Sequence, residues 1–303
     1  LSQNKVTPVR GAAFMMLAAV LWGAGWPTLK LLSHATPTLY VIFLELVAAS
    51  IFALALVFFG SIRVGSWRRL GITAAIGIIE PGAAYLFFAV GLSNTTASSA
   101  TIIDALQPLV ILFVSRLFFR ERFAPLLLAL VVVALAGTAL AIGFPFTGRQ
   151  GAFLAGDALV AIGMSIAAVH SVIMKRVVVE IDPLVVTAVQ QSVGAIMVGL
   201  AVLAFQAESR ASFRPDVHDL ALIALAGIAT IAAPFLLYIT AVRELSGAAT
   251  GVAIAFIPVS GLTLSAIVLR ESLNPLQIAG AVITVGALMV AARLERRFAY
   301  VRR

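Results

Sequence analysis

The stretch SRLFFRERFAP at residues 115–125 returns, 150 positions later, as SAIVLRESLNP at residues 265–275. Ser115, Arg120, Glu121 and Pro125 match Ser265, Arg270, Glu271 and Pro275 at that one offset, and upstream Pro108 matches Pro258. Each copy therefore runs thirteen steps from a proline to a glutamate, ahead of its last apolar segment. The opening segments repeat as well, with Gly11 and Lys30 matching Gly156 and Lys175 at an offset of 145. A register shared by so many positions divides the chain into two related halves, 11–145 and 154–293.

What the halves are made of follows from composition. Of 303 residues, 62% are hydrophobic and 11% charged, less than half the charge of an average soluble domain, so the chain reads as an all-α integral membrane protein. Apolar segments long enough to cross about 30 Å of hydrocarbon lie near 11–30, 37–60, 70–92, 97–119, 126–145, 154–175, 184–205, 219–242, 247–269 and 276–293. That makes ten expected transmembrane helices, five in each half, joined by short links with turn formers such as Ser93-Asn94-Thr95 and Asp182-Pro183.

An odd number of spans per half turns the second half over, so the repeats are expected to be inverted. Inverted repeats around a midplane site are an architecture of secondary transporters, because exchanging the halves' conformations moves the opening from one side to the other. Orientation follows from the basic residues. Sixteen of the 21 Lys and Arg fall on the side of the termini, and five (Lys30, Arg149, Arg210, Arg214, Arg270) on the other. The positive-inside bias then places both termini in the cytoplasm and the chain in a cytoplasmic (inner) membrane. The net charge of +8 does not read as nucleic-acid binding, because the basic residues stand singly between apolar runs.

Charged groups within a span cost at least about 2.5–3.5 kcal/mol on insertion scales, so each needs a reason. Glu45, Glu80, Asp104 and His170 fall inside expected spans, and their repeat counterparts are roughly Gln191, Thr230, Ile254 and Gly25, none of them ionisable. Scaffold positions agree between the halves while interior polar positions differ, as an asymmetric substrate in a pseudo-symmetric cage requires. Each acid also has a structural reading. Glu80 precedes Pro81-Gly82, so it either serves a substrate or proton or, protonated, bonds a freed carbonyl. Asp104 shares a face with Ser98 and Thr101, which suits either a ligand or helix–helix glue. Glu45 is a candidate proton carrier or a water-facing acid. His170, next to Ser171, is a proton relay or a satisfied interhelical side chain.

The run LWGAGWPTLK, residues 21–30, poses a related question, since Gly and Pro weaken a helix. Gly23 and Gly25 allow close approach or bending, and Pro27 can end or kink the span. Trp22 and Trp26, spaced i, i+4, share a face. Trp22 is expected as a deep wall residue of a cavity, with Trp26 nearer the outer mouth or in an interfacial belt. Tyr85, Phe88 and Tyr238 add aromatic surface, with Tyr238 aligned to Phe88 in the repeat. Pro108, Arg120, Glu121, Pro258, Arg270 and Glu271 are expected to act as scaffold or gate through pairing at helix ends.

Two five-helix halves, each with a proline, an Arg-Glu pair and a second proline before its last span, resemble the drug/metabolite transporter superfamily of the ten-helix EamA type. LWGAGWPTLK and SSATIIDALQPLVILFVSRLFFRERF are further similar to the YddG-type exporters of aromatic and other amino acids. The resemblance implies a basket of helices around a central cavity, with spans 1–4 and 6–9 lining the path and spans 5 and 10 outside. It also implies export of small metabolites, amino acids foremost, with no cofactor or metal and with the bilayer as surroundings.

Other classes find less support. No GxxxxGK[ST] loop is present for ATP hydrolysis, and no HExxH or G-x-S-x-G for an intramembrane hydrolase. The chain has no Cys, so disulfides and thiolate chemistry are out. The alternatives are an exporter of another metabolite or drug and a non-transporting membrane receptor or sensor on the same fold. Substrate identity, coupling ion and oligomeric state are not readable.

The Cys-free background permits a direct topology test. Single cysteines at Asn94 and Thr147 should react with an impermeant reagent from outside, and those at Ser66 and Glu180 should not. Reaction of all four from one side would rule out the expected inversion.

Overall fold

A computed structural model of the protein describes residues 8–34, 36–62, 64–119, 125–142, 151–177, 181–205, 216–242 and 257–301, and the regular structure among them is helical throughout. The helices are α1 (Pro8–Leu32), α2 (Thr38–Phe59), α3 (Trp67–Gly77), α4 (Ala84–Ser93), α5 (Ala97–Asp104), α6 (Gln107–Phe119) and α7 (Pro125–Ile142). They continue with α8 (Gly151–Val177), α9 (Pro183–Phe205), α10 (Val217–Ala226), α11 (Ala233–Val242), α12 (Ile257–Val268) and α13 (Pro275–Val301). Six continuous runs are long and apolar enough to cross a bilayer: Arg10–Leu32, Thr38–Phe59, Trp67–Ser93, Leu154–Met174, Pro183–Phe205 and Val217–Ala241. Shorter apolar helices cover Ala97–Ile111, Ile257–Val268 and Pro275–Ala287. Arg120 and Glu121 lie outside the described residues, as do 247–256 of the expected ninth span, Thr147 and Glu180. Pro108 falls within α6, but its side chain is likewise outside what is described.

Helix starts follow local chemistry. Ser66 accepts a hydrogen bond from the Arg69 amide (3.4 Å) ahead of α3, and Thr96 accepts one from Ser99 (3.1 Å) ahead of α5. Asp216 and Asp219 form a reciprocal capping box at α10. Two runs are interrupted midway. Between α3 and α4, Ile78–Ala83 contains Glu80 in an extended conformation (φ −144°, ψ 130°), followed by Pro81, which has no N–H to offer the helix. Between α10 and α11, Gly227–Ala232 forms a widened turn at the corresponding place in the second half. Pro27, by contrast, does not end its helix, since α1 continues to Leu32.

The packing pairs recur when the helices of one half are exchanged for those of the other. α1 lies against α11 while α4 lies against α8, and α1 lies against α12 while α6 lies against α8. α2 with α9 and α7 with α13 are pairs that exchange into themselves. At the last of these, the Thr284 hydroxyl donates to the carbonyl of Ala134 (3.3 Å), its own counterpart at the offset of 150. α7 and α13 pack chiefly on each other, outside the remaining helices.

Small residues permit the closest crossings. A Cβ on Gly23 would lie 2.5 Å from the Ile257 carbonyl oxygen, and one on Gly261 would lie 2.6 Å from the Thr101 methyl and 3.0 Å from the Gly23 carbonyl. α1, α5 and α12 therefore meet nearly backbone to backbone, as small-residue membrane interfaces allow. Outward faces carry exposed Ile51, Phe59, Leu200, Ile267 and Val282, a surface costly in water and suited to hydrocarbon.

The link between α4 and α5 is held from three directions. Lys30 Nζ donates to the carbonyls of Leu92 (2.8 Å) and Thr95 (2.7 Å), a cation at the negative end of a helix. Thr95 donates to Asp157 of α8. Glu271 accepts from the Ala97 (3.2 Å) and Ser98 (3.1 Å) amides and from the Ser98 hydroxyl, a carboxylate on a helix N-terminus. The expectation of an Arg-Glu pair at the helix end thus takes a different form. Arg270 is exposed with φ 53°, and Glu271 bonds backbone amides. Glu271→Gln should lower stability by about 1–3 kcal/mol, read as a reduced thermal unfolding midpoint, with the order of substrate preference unchanged. Altered preference at normal stability would instead put Glu271 on the transport path.

Candidate functional site

The two interrupted runs face a common space. A central cavity of about 140 Å³ lies between α1, α2, α4, α5, α6, α8, α11 and α12, and both breaks contribute to its wall through Glu80, Thr230 and Ile231. Every polar and aromatic candidate named from the sequence lines it: Trp22, Trp26, Glu45, Glu80, Tyr85, Phe88, Asp104, His170, Ser171 and Tyr238. Repeat counterparts meet there also. Glu80 faces the same cavity as Thr230, and His170 the same cavity as Gly25, whose missing Cβ would lie 3.8 Å from Thr230. Gln190 holds the place of Glu45, since Gly77 packs on it as Gly227 packs on Glu45, and its neighbour Gln191, the counterpart expected from spacing, is buried with its Oε1 unpartnered. Ile254 falls outside the described residues.

The groups sort into pairs. His170 Nδ1 lies 2.9 Å from Glu80 Oε2, and its Nε2 lies 3.3 Å from Gln190 Oε1. Gln190 in turn directs its amide nitrogen to the Met174 sulfur at 3.2 Å. With the Gln190 amide so oriented, both ring nitrogens of His170 face acceptors. Glu80 can reach His170 because Pro81 interrupts the helix beside it, and the Pro81 ring is received by Gly194 of α9, where a Cβ would come within 3.1 Å of the ring's Cβ. The sequence order Glu-Pro-Gly is thereby converted into a side-chain pair between two helices.

Trp26 Nε1–H donates to Asp104 Oδ2 at 3.3 Å, and its ring meets Phe88 edge-on with centroids 5.0 Å apart. Buried and bonded inside the cavity, Trp26 is not an interfacial belt residue, and the i, i+4 spacing with Trp22 is used to line one wall. Trp22 stacks at a tilt on Tyr238, centroids 5.2 Å apart, and Tyr85 lies 5.8 Å from Phe88. The stripe Ser98–Thr101–Asp104 divides its labour. Ser98 serves Glu271, Thr101 donates back to the Ala97 carbonyl (2.8 Å), and Asp104 alone reaches the cavity.

Sequence reading missed Gln107, Met174 and Phe235 as lining residues and Gln190 as the partner of His170. Gln107 opens α6 directly after a two-residue break at Ala105-Leu106, and a polar residue beside a proline within an apolar run was the available signal. Phe235 and Met174 carry none, because apolar side chains in a membrane span look alike whether they face lipid or cavity. The exposed Asp216, His218 and Asp219 come within 4.8 Å of one another at the start of α10, where the two acids already form the capping box.

Comparison with known proteins gives a consistent result. The model of the EamA-like transporter family matches residues 9–143 and again residues 154–293. A protein of Archaeoglobus fulgidus described as an uncharacterized transporter is 22% identical over 280 residues, spanning 92% of this chain and 97% of its own length. A crystal structure of another protein superposes with a TM-score of 0.70 at 19% identity, covering 96% of this chain and 99% of that one, a likeness that concerns the fold alone.

Aromatic walls favour large apolar groups by stacking, at about 0.5–1.5 kcal/mol per ring pair beyond burial. Trp22→Ala should therefore weaken binding and transport of large substrates more than small ones at unchanged protein level, and Tyr238→Phe should isolate the contribution of the hydroxyl. Equal loss for all substrates with loss of folded protein would make Trp22 a packing residue.

Proposed function

We propose, on the premise that the chain belongs to the EamA-like transporter family, that it exports a small metabolite, foremost an aromatic or other amino acid, by alternating access through the central cavity. The observation that carries this reading is the cavity itself. It sits where two matched stretches meet, it is lined from both, and the helix contacts around it survive exchange of one stretch for the other. A site shared by two exchangeable halves is what alternating access requires. Five helices per half in inverted topology, a cytoplasmic membrane and cytoplasmic termini belong to the same proposal.

The lining suits such a cargo. Mostly apolar walls with a few placed polar groups are usual for small-molecule sites. A volume near 140 Å³ is below the roughly 300–1,000 Å³ of drug-sized pockets, which points to a small metabolite. Amino acids in particular are supported by the resemblance in LWGAGWPTLK and by walls that offer both ring faces and hydrogen-bonding groups.

The Glu80–His170 pair is the place where a proton could be held during the cycle, since one proton moved on or off the imidazole changes the charge facing Glu80. Purified protein in liposomes should show saturable counterflow of labelled phenylalanine or tryptophan, and the rate should vary between about pH 5 and 8. Glu80→Gln should flatten that profile while leaving counterflow measurable. Absence of counterflow by folded protein overturns the transport reading, and a flat wild-type profile leaves facilitated diffusion without proton coupling.

A further inference from the structure

We infer that the cavity recognises its substrate through a protonated amine, with the Glu45 carboxylate as counter-charge, so that a carboxylate on the substrate is dispensable. The inference rests on the transport reading and specifies which chemical group the site holds.

The charges of the lining are one-sided. Among the described residues that line the cavity, Glu45, Glu80 and Asp104 are acids, His170 is the one basic side chain, and Lys and Arg are absent. Tyr85 stands among all three acids. Two of them are already engaged, Glu80 by His170 and Asp104 by the Trp26 indole. Glu45 is different. It is 3% exposed, it faces the cavity, and its Oε1 has no hydrogen-bond partner. A buried carboxylate oxygen without a donor is an unfilled demand for one, and the demand is strongest for a donor carrying positive charge.

A primary ammonium answers it. It brings three N–H donors and one positive charge, and the rings of Trp22, Tyr85, Phe88 and Tyr238 around it attract a cation through their faces. A substrate carboxylate has no comparable reception. It would meet three acids, with an indole N–H, the hydroxyls of Tyr85, Tyr238, Ser171 and Thr230, and Gln107 to bond, none of them a cation. An amino acid is on this account bound by its ammonium end and apolar side chain, and its carboxylate is tolerated. Removing the carboxylate loses no ionic partner and relieves repulsion from the acids.

The repeat supplies an argument for treating Glu45 as a recognition residue. Its counterpart in the second half is Gln190, which Gly77 meets as Gly227 meets Glu45; it is an amide of the same length and shape without the charge, and equally buried. The scaffold accepts an amide at that position, so the charge at Glu45 is not demanded by packing.

Three ligands of one shape test this: phenethylamine, phenylalanine and 3-phenylpropanoate, which carry the amine alone, both groups and the carboxylate alone. Two of the protein's three tryptophans, Trp22 and Trp26, line the cavity, and Trp67 is exposed, so tryptophan fluorescence of the full chain in detergent reports occupancy. Phenethylamine should bind about tenfold more tightly than phenylalanine, and 3-phenylpropanoate should not bind. Glu45→Gln should weaken phenethylamine about tenfold, and Glu45→Asp should keep the amine preference. Equal or tighter binding of phenylalanine or 3-phenylpropanoate, no binding of any of the three, or equal amine affinity in wild type and folded Glu45→Gln would overturn the inference. Should Glu45→Gln not fold, the wild-type comparison of the three ligands decides alone. The two readings separate in liposomes. Phenylalanine counterflow without amine preference overturns this inference and leaves transport standing, while amine binding without counterflow supports it and overturns transport.

Discussion

Inside hydrocarbon no water is present to satisfy a backbone amide, a carbonyl or a charged side chain, so each must find its partner within the protein. This constraint accounts for where the chain departs from regular helix. The interruptions at Ile78–Ala83 and Gly227–Ala232 border the cavity, where irregular backbone is surrounded by protein. The link between α4 and α5 shows the same rule at a helix end. The carbonyls that finish α4 receive the Lys30 ammonium, and the amides that begin α5 receive the Glu271 carboxylate. One cation and one anion thereby serve the opposite dipole ends of two consecutive helices.

Symmetry and asymmetry have separate tasks. Contacts between helices follow the exchange of halves, down to Thr284 bonding the residue it corresponds to. Side chains facing the cavity break that relation. Glu80 stands opposite Thr230, His170 opposite Gly25, and Glu45 corresponds to the neutral Gln190. A duplicated scaffold can rock about a shared centre, whereas a duplicated lining would present the same chemistry from both sides to a substrate that has none of that symmetry. All three acids of the lining come from the first half, while its aromatic rings come from both.

Much of this was legible before any coordinates. The offset of 150 and the apolar segment lengths determined a duplicated, membrane-embedded helical chain, because both are properties of linear order. The cost of charge in hydrocarbon singled out Glu45, Glu80, Asp104 and His170, and all four line one cavity. Glycine in LWGAGWPTLK implied close approach, and Gly23 meets Gly261 across α12.

Pairing was not legible, because it depends on helix rotation and crossing rather than on spacing. Nothing in the linear order says that Trp26 turns inward to Asp104 across 78 residues, or that His170 meets both Glu80 and Gln190. Nor does it say that Glu271 caps a distant helix while the neighbouring Arg270 is exposed. Linear order was enough to single out the residues that could not be left in lipid and to divide the chain into two copies of one pattern. Helix rotation and crossing then settled which of those residues satisfy one another and that Glu45 Oε1 has no partner, because a hydrogen bond is made or lost over a few tenths of an ångström that helical periodicity does not specify.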